Sequence, residues 1–168
     1  MTDFIDFILQ EHDRQLEICA LLEDFLVAPN SEHSSEWAVS VLKFITEDLP
    51  VHIEDEEVDL FPMLVSLQAE DQDLATILDQ LNLEHEIDRD LAEPLLKGLR
   101  EVADGEELSD PTRFCMYART LTEAIRRHIN WENRVVLPLA RKILSEEDHV
   151  LLWNRLSDRR QQGKTSST

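Results

Sequence analysis

The stretch His52-Ile-Glu-Asp-Glu-Glu-Val-Asp-Leu-Phe-Pro62 decides the fold of this chain. On an α-helix, residues four apart lie on one face about one turn from each other, so His52 and Glu56 would project together. An imidazole and a carboxylate arranged in this way can bind the same transition-metal ion. The stretch therefore predicts a helix that contributes two neighbouring ligands to a metal site.

The same pattern returns near the other end of the chain. His128 and Glu132 repeat the H-x3-E spacing, and in both copies a proline follows the glutamate by six residues. A Glu-His pair precedes each copy, at Glu11-His12 and at Glu84-His85. The chain is therefore a tandem of one unit, in which Glu-His is followed further along by His-x3-Glu.

Apolar residues recur at three- and four-residue steps along most of the chain, and this periodicity predicts an all-α fold. Only 3 Gly and 6 Pro interrupt the pattern, and Pro29-Asn30-Ser31 predicts the first turn. Four long helices joined by short connections indicate an up-down-up-down four-helix bundle over residues 1–145. A short fifth helix is expected over residues 146–160, and a polar, disordered tail over residues 161–168.

Capping residues predict where the later helices begin and end. Asp104-Gly105 would end the third helix, Asp110-Pro111 would begin the fourth, and a capping box of Ser145-x-x-Asp148 would begin the fifth. Pro62 and Pro138 each remove a backbone hydrogen bond just beyond a glutamate, so a bend is expected at both.

Beyond the two glutamates, the same periodicity predicts which residues face the interior. In the second helix the apolar stripe continues from Glu56 through Met63 and Leu67. In the fourth it continues through Val135 and Leu139. These four apolar residues are therefore predicted to lie in the core.

The spacing along the helices places the candidate ligands at one level of the bundle. At about 1.5 Å per residue, His12 and His52 lie roughly 22 Å and roughly 25 Å from the end shared by the first two helices. His85 and His128 each lie roughly 27 Å from the end shared by the third and fourth. The predicted metal ligands in this layer are His12, His52, Glu56, His85, His128 and Glu132.

Cations are the expected partners of the two buried glutamates. Burying an ionised carboxylate without a partner costs several kcal/mol, and no Lys or Arg lies on the same helix faces. Four helices can supply the ligands of two ions bridged by both glutamates more easily than those of one six-coordinate ion. Two bridged ions also leave open coordination positions. Nitrogen and carboxylate ligands suit iron, manganese or zinc. Iron is favoured, because a carboxylate-bridged pair in a helical bundle is a setting for oxygen chemistry.

Composition limits the partners and the compartment. The formal net charge of −20 argues against nucleic acid or an anionic membrane as a partner, because phosphates would be repelled. Asp3 and Asp6 occupy the place where a signal peptide would carry basic residues, and no apolar run reaches spanning length. Cys19 and Cys115 are too few for a disulfide framework or a thiolate metal site, and reduced thiols fit the cytoplasm. We therefore expect a cytoplasmic protein.

Residues 3–144 resemble the hemerythrin-like family, the HHE cation-binding domain, through both Glu-His pairs, the stretch His52 to Pro62, and His128 to Glu132 with Leu137-Pro138. The resemblance implies a non-haem di-iron site with an oxo or hydroxo bridge that meets dioxygen, nitric oxide or other small oxidants. It implies the following ligand roles: terminal, His12, His52, His85 and His128; bridging, Glu56 and Glu132.

The chain departs from the oxygen-carrying members of that family at the third helix. Those proteins have a further His one turn from the third-helix ligand, whereas Leu81 and Arg89 occupy these positions here. With four predicted ligand histidines rather than five, the chain is similar to the branch that includes iron-sensing domains and di-iron proteins of nitrosative stress and iron–sulfur repair. Glu84 or Glu86 could supply a further ligand or an outer contact, and each could equally be solvated.

Three functions remain open from the sequence. A binding protein would use an open di-iron site to bind or sense dioxygen, nitric oxide or iron without turnover. An enzyme or repair factor in oxidative or nitrosative stress would reduce an oxidant or donate iron at the same site, although no catalytic acid or base can be named. In the third, the metal only holds the bundle together. His33 and His149 are predicted to lie at the surface, outside the site.

Overall fold

Four long helices form a bundle, and a fifth helix packs against it. The computed structural model describes residues 3–29 and 31–165, so Asn30 of the predicted turn lies outside the described residues. The first helix, α1, is Phe4–Val27, with the side chain of Asp3 as its N-terminal cap. Each later helix of the bundle follows after a short connection, and α1 contacts both the second and the fourth. The predicted all-α bundle is confirmed.

The three middle helices change type along their length. The second, α2, spans residues 34–67 as Ser34–Lys43, Leu49–Glu54 and Phe61–Leu67, separated by the π-helical turns Phe44–Asp48 and Asp55–Leu60.

The third helix, α3, spans residues 72–103, and the fourth, α4, spans residues 111–143. In α3 a 3-10 turn, Glu93–Leu95, separates Gln72–Ala92 from Leu96–Ala103. In α4 a π-turn separates two α-helical segments, and the three parts are Pro111–Trp131, Glu132–Val136 and Leu137–Ile143. The predicted caps are present: Gly105 has φ of 79° after the end of α3, and Asp110 caps α4.

Both candidate bridging glutamates lie within π-turns that precede a proline. The N–H of Phe61 donates to the carbonyl of Glu56, and the N–H of Leu137 donates to that of Glu132, five residues back in each case. The proline that follows each donor has no N–H and crowds the carbonyl four residues before it, which disfavours the α-helical pattern there. A turn with bonds over five residues resolves this conflict.

These π-turns correct the predicted core beyond the glutamates. Met63 is only partly buried and Leu67 is exposed, whereas Leu64 is fully buried. In α4, Val136 and Ala140 are buried in place of the predicted Val135 and Leu139. In each helix the buried stripe moves by one residue, because a π-turn holds one residue more than an α-turn.

Two apolar clusters fill the interior, one on each side of a polar layer. The first includes Cys19, Leu22, Phe25, Val41, Phe44, Leu95, Leu99, Phe114, Leu121 and Ile125. The second includes Phe4, Ile8, Leu60, Phe61, Leu64, Leu78, Leu81, Val136, Leu152 and Leu156. Along each of the four long helices, the predicted ligands fall between the two clusters.

The fifth helix, α5, is Glu146–Thr165, so it continues beyond residue 160, where the sequence predicted a disordered tail. Its capping box is present: Asp148 accepts from the N–H of Ser145, and the Ser145 hydroxyl accepts from the N–H of Asp148. Ion pairs to α2, described below, hold the later part of the helix in place. Residues 166–168 of the predicted tail lie outside the described residues. Within residues 3–29 and 31–165, no helix could span a membrane.

Candidate metal centre

All six predicted ligands point into the polar layer between the two clusters. His12 lies on α1, His85 on α3, and each of α2 and α4 contributes a His and a Glu one turn apart. Their exposed fractions are 0 or 1%. The spacing argument made from the sequence therefore describes the observed arrangement, in which the long helices bring these side chains together at one level.

The carboxylate of Glu56 lies at the centre of the group. Its Oε1 lies 3.5 Å from Nε2 of His12, and its Oε2 lies 3.4 Å from Nε2 of both His52 and His85. Three imidazoles from three helices therefore surround one carboxylate. This geometry suits a carboxylate that is shared between two cations.

Glu132 faces two of the same imidazoles from the opposite helix. Its Oε2 lies 3.2 Å from Nε2 of His12, and its Oε1 lies 3.7 Å from Nε2 of His85. Each oxygen of Glu132 thus faces a different imidazole. Glu56 and Glu132 therefore both occupy positions from which they can reach two ions.

Two sets of ligand atoms lie close enough to hold a metal ion. One consists of His12, His52 and Glu56, and the other of Glu56, His85 and Glu132, with the atoms of each set within 4.8 Å of one another. Glu56 belongs to both sets. His128 belongs to neither set, but its ring packs edge-on against that of His85, with the centroids 5.2 Å apart.

The buried polar atoms of this layer fit a cation. Nε2 of all four histidines and both carboxylate oxygens of Glu56 and Glu132 are buried without a hydrogen-bond partner among the described residues. Leaving such groups unpaired is costly, and an ionised carboxylate costs most. Every one of these atoms is a good metal donor. The donor set therefore suits a transition-metal cation by its chemistry.

Outer contacts orient three of the four imidazoles. Nδ1 of His12 donates to Oδ1 of Asn133 at 2.6 Å, and Nδ1 of His85 donates to Oε1 of Glu57 at 3.1 Å. Nδ1 of His128 lies 2.7 Å from Oδ2 of Asp88. Such contacts fix the ring orientation and direct Nε2 towards a metal. The outer residues of the centre are therefore Asn133, Glu57 and Asp88.

Sequence reasoning missed these outer residues, although two of them had a local signal. Asn133 and Glu57 each follow a predicted ligand directly, within the π-turns, so their side chains are turned towards a neighbouring helix. Asp88 lies one turn after His85 on α3, but it serves His128 on α4. That pairing depends on how α3 and α4 are rotated against each other.

The surroundings shift the pKa values of His12 and His52 in opposite directions. Burial lowers the pKa of His12, but Glu132 and Glu56 outweigh burial and raise the pKa to about 10. Burial and the other imidazoles of the site hold the pKa of His52 well below its usual value. Ligand nitrogens must be deprotonated, so a cation that binds here would displace the proton of His12.

The two glutamates are not equivalent. Burial raises the pKa of Glu56, and the neighbouring carboxylate of Glu132 raises it further. Burial also acts to raise the pKa of Glu132, but contacts with His12 outweigh burial and the pKa is lowered. The carboxylate of Glu132 is therefore the better partner for the imidazolium of His12.

The remaining candidate residues lie outside the centre. Glu84 is largely buried but pairs with Arg127 at 3.4 Å, and Glu86 is exposed. His33 is exposed at the start of α2, and His149 is half-buried on α5. None of these four acidic or imidazole side chains belongs to either set of ligand atoms found among the described residues.

Arginines of α5 neutralise two further carboxylates beside the centre. Asp55 and Asp59 lie on either side of Glu56 in the π-turn Asp55–Leu60, and they are 0% and 4% exposed. Arg159 binds both carboxylates, with Nη2 2.6 Å from Asp59, and Arg160 lies 2.7 Å from Asp55. These arginines do not reach the two glutamates of the centre, whose charges are left for a cation.

Comparison with known proteins agrees with this geometry. Residues 3–140 match the hemerythrin HHE cation binding domain. The chain therefore belongs to the hemerythrin HHE cation-binding domain family. It is also similar to an uncharacterized protein of Haemophilus influenzae, with 26% identity over 163 residues, which cover 78% of this chain and 90% of that protein.

Proposed function

We propose that this protein is a non-haem di-iron protein that binds or senses dioxygen, nitric oxide or iron at a carboxylate-bridged site. The observation that carries the proposal is the sharing of Glu56 by two sets of ligand atoms. A centre for two ions needs a shared ligand at this position. Membership of a cation-binding family supports the same assignment.

The proposal gives each residue a role. His12 and His52 would hold one ion, and His85 and His128 the other, in keeping with the two edge-on pairs of rings. Glu56 and Glu132 would bridge the ions. With two imidazoles and a share of two carboxylates, each ion would keep a position for an oxo or hydroxo bridge or a small ligand. When bound, iron would supply reversible binding or electron transfer to such a ligand.

The surrounding protein would shield the centre on two sides with apolar side chains. Apolar clusters lie on both sides, and Phe61 stacks on the ring of His85 with the centroids 6.1 Å apart. These groups offer no charge to a ligand, which suits small neutral molecules such as dioxygen and nitric oxide. The free thiols of Cys19 and Cys115 support a cytoplasmic location as part of the proposal.

The second candidate function is a di-iron enzyme or repair factor that reduces an oxidant or donates iron under oxidative or nitrosative stress. One observation favours it: Glu57 joins His85 to Arg89 near the surface, through contacts of 3.1 and 2.9 Å. This series of contacts connects a metal-binding histidine to the surface of the protein. Turnover under the conditions described next would support this function over binding alone.

Anaerobic loading with ferrous iron tests the proposal. We expect two irons per chain and a visible charge-transfer band on addition of dioxygen, nitric oxide or azide. Reversible binding supports a sensor, and catalytic consumption of the oxidant supports an enzyme. His52→Ala and Glu132→Ala should lose iron, whereas His33→Ala should keep it. Equal iron contents in all three variants would refute the ligand assignment.

A further inference from the structure

A small cavity lies between α1 and α2, beside the metal centre. Its volume is ≈ 130 Å³, and its inner end is formed by Gln15, Phe44 and His52. A water molecule needs about 10–15 Å³ of such space, so the cavity can hold several. It touches the centre only through the imidazole of His52.

Gln15 presents an unpaired amide to this cavity. The residue is 2% exposed, and neither its oxygen nor its nitrogen has a hydrogen-bond partner among the described residues. A buried amide without partners is costly, and most buried polar groups are paired with protein or water. The position is one turn after His12, where an apolar residue would continue the core. The amide therefore indicates a polar molecule in the cavity.

His52 is the imidazole that lacks an outer contact. Nδ1 of His12, His85 and His128 lies against Asn133, Glu57 and Asp88 respectively, whereas Nδ1 of His52 is buried without a hydrogen-bond partner in the described chain. A metal-binding imidazole nearly always donates its second N–H to an acceptor. An acceptor for Nδ1–H of His52 can lie in the cavity.

The charges at the rim favour an uncharged occupant. Oε1 of Glu11 lies 2.8 Å from Arg14, and Asp48 binds Lys43 at 2.7 Å. These two carboxylates are paired, and the third in the wall, that of Glu17, is exposed to solvent, so the inner end of the cavity offers hydrogen bonds without a strong field of either sign. A small neutral molecule that both accepts and donates hydrogen bonds matches this wall.

We propose that the cavity binds such a molecule, water in aqueous buffer, which accepts a hydrogen bond from Nδ1 of His52 and is held by the amide of Gln15. Gln15 is then a positioning residue for His52, acting through the bound water. The role at His52 rests on the proposed metal site, whereas the contact between Gln15 and water does not.

Proton spectra of the metal-free protein test the water site alone. With ¹⁵N-labelled glutamine, the side-chain amide of Gln15 should show cross-relaxation with a bound water. The matched control is Gln10, which is exposed on the same helix and should show only rapid exchange with solvent. An amide of Gln15 without any contact to water would overturn the proposal.

The zinc-loaded protein tests the link to His52. With ¹⁵N-labelled histidine, Nδ1–H of His52 should contact water, and Gln15→Leu should abolish that contact, since apolar cavities stay dry. The signals of the other three imidazoles should not change. Zinc affinity should fall about tenfold in Gln15→Leu and not in Gln10→Leu.

The outcomes separate this inference from the proposed function. If wild-type protein binds no zinc and no iron, the proposed function fails, while the glutamine spectra still decide the water site. If zinc binds equally to wild type and Gln15→Leu and Nδ1–H of His52 keeps its water contact, Gln15 has no positioning role. Gln15→Met serves as a second apolar variant if Gln15→Leu does not fold, as judged by circular dichroism.

Discussion

The carboxylate of Asp88 on α3 lies 2.7 Å from Nδ1 of His128 on α4, and both residues are 0% exposed. This contact joins the two helices at the level of the metal layer. It also places Nδ1 of His128 beside a carboxylate and leaves Nε2 as the nitrogen that can face a metal.

Asp88→Asn should therefore weaken metal binding while leaving the predicted ligands in place. We expect a loss of about 10- to 100-fold in affinity, as for other outer partners of metal-bound histidines. Competition with a chromophoric chelator measures it. Asp90→Asn, at an exposed position on the same helix, is the control. Equal affinities in the two variants would show that Asp88 does not orient His128.

Arg159 should stabilise the bundle more than Arg155 does. The side chain of Arg159 is 15% exposed and binds both Asp55 and Asp59, whereas that of Arg155 is 47% exposed and, among the described residues, contacts Asp59 at 3.1 Å. Arg159→Gln would leave each buried carboxylate with one arginine, Arg160 for Asp55 and Arg155 for Asp59, so it should cost roughly 1–3 kcal/mol. Arg155→Gln should cost about 1 kcal/mol or less. Urea unfolding of both variants measures these losses. A larger loss in Arg155→Gln than in Arg159→Gln would contradict the ion-pair geometry.

Cys19 should be inert to thiol reagents in the folded protein. Burial raises the pKa of its thiol to about 12, so almost no thiolate forms at pH 8. Ellman's reagent should therefore titrate at most the half-buried Cys115 in native protein and both thiols after denaturation. Rapid reaction of two thiols in the native state would contradict the buried position.

The same raised pKa makes stability depend on pH in the alkaline range. The thiol has an ordinary pKa of 9.0 in the unfolded chain, whereas burial raises the pKa to about 12 in the folded protein. Between these values the unfolded state binds fewer protons, so the contribution of Cys19 to stability falls as pH rises, by at most about 1.4 kcal/mol per pH unit. Cys19→Ala should show a shallower alkaline loss in urea unfolding. Parallel curves for wild type and variant would exclude the effect.

Removing the metal should lower the unfolding temperature. A cation held by buried donors binds only the folded chain, and a free concentration 100-fold above Kd adds about 2.7 kcal/mol. Dialysis against a chelator should therefore shift calorimetric unfolding of the iron-loaded protein to lower temperature. His52→Ala, which should not hold iron, should unfold at the same temperature before and after the treatment.

The sequence predicts the polar layer well, because its evidence is local. His52 and Glu56 share a helix face by spacing alone, and the level of His12 follows from helix rise. The partner of His128 was not predictable, because Asp88 reaches it only through the rotation of one helix against another. The extent of α5 was missed because residues 161–165 are polar and show no apolar periodicity. The ion pairs of Arg159 and Arg160, which hold the preceding turn, reach carboxylates of α2 that lie far away in the sequence.

The π-turns at Asp55–Leu60 and Glu132–Val136 each absorb one residue more than a uniform α-helix would hold. Deleting the exposed Val58 would remove this extra residue, and Leu64 would still face the second apolar cluster. Deleting the similarly exposed Val39, in the α-helical segment Ser34–Lys43, would instead rotate the residues before it against those after it by about 100°. A codon-sized deletion should therefore disturb the protein less at Val58 than at Val39.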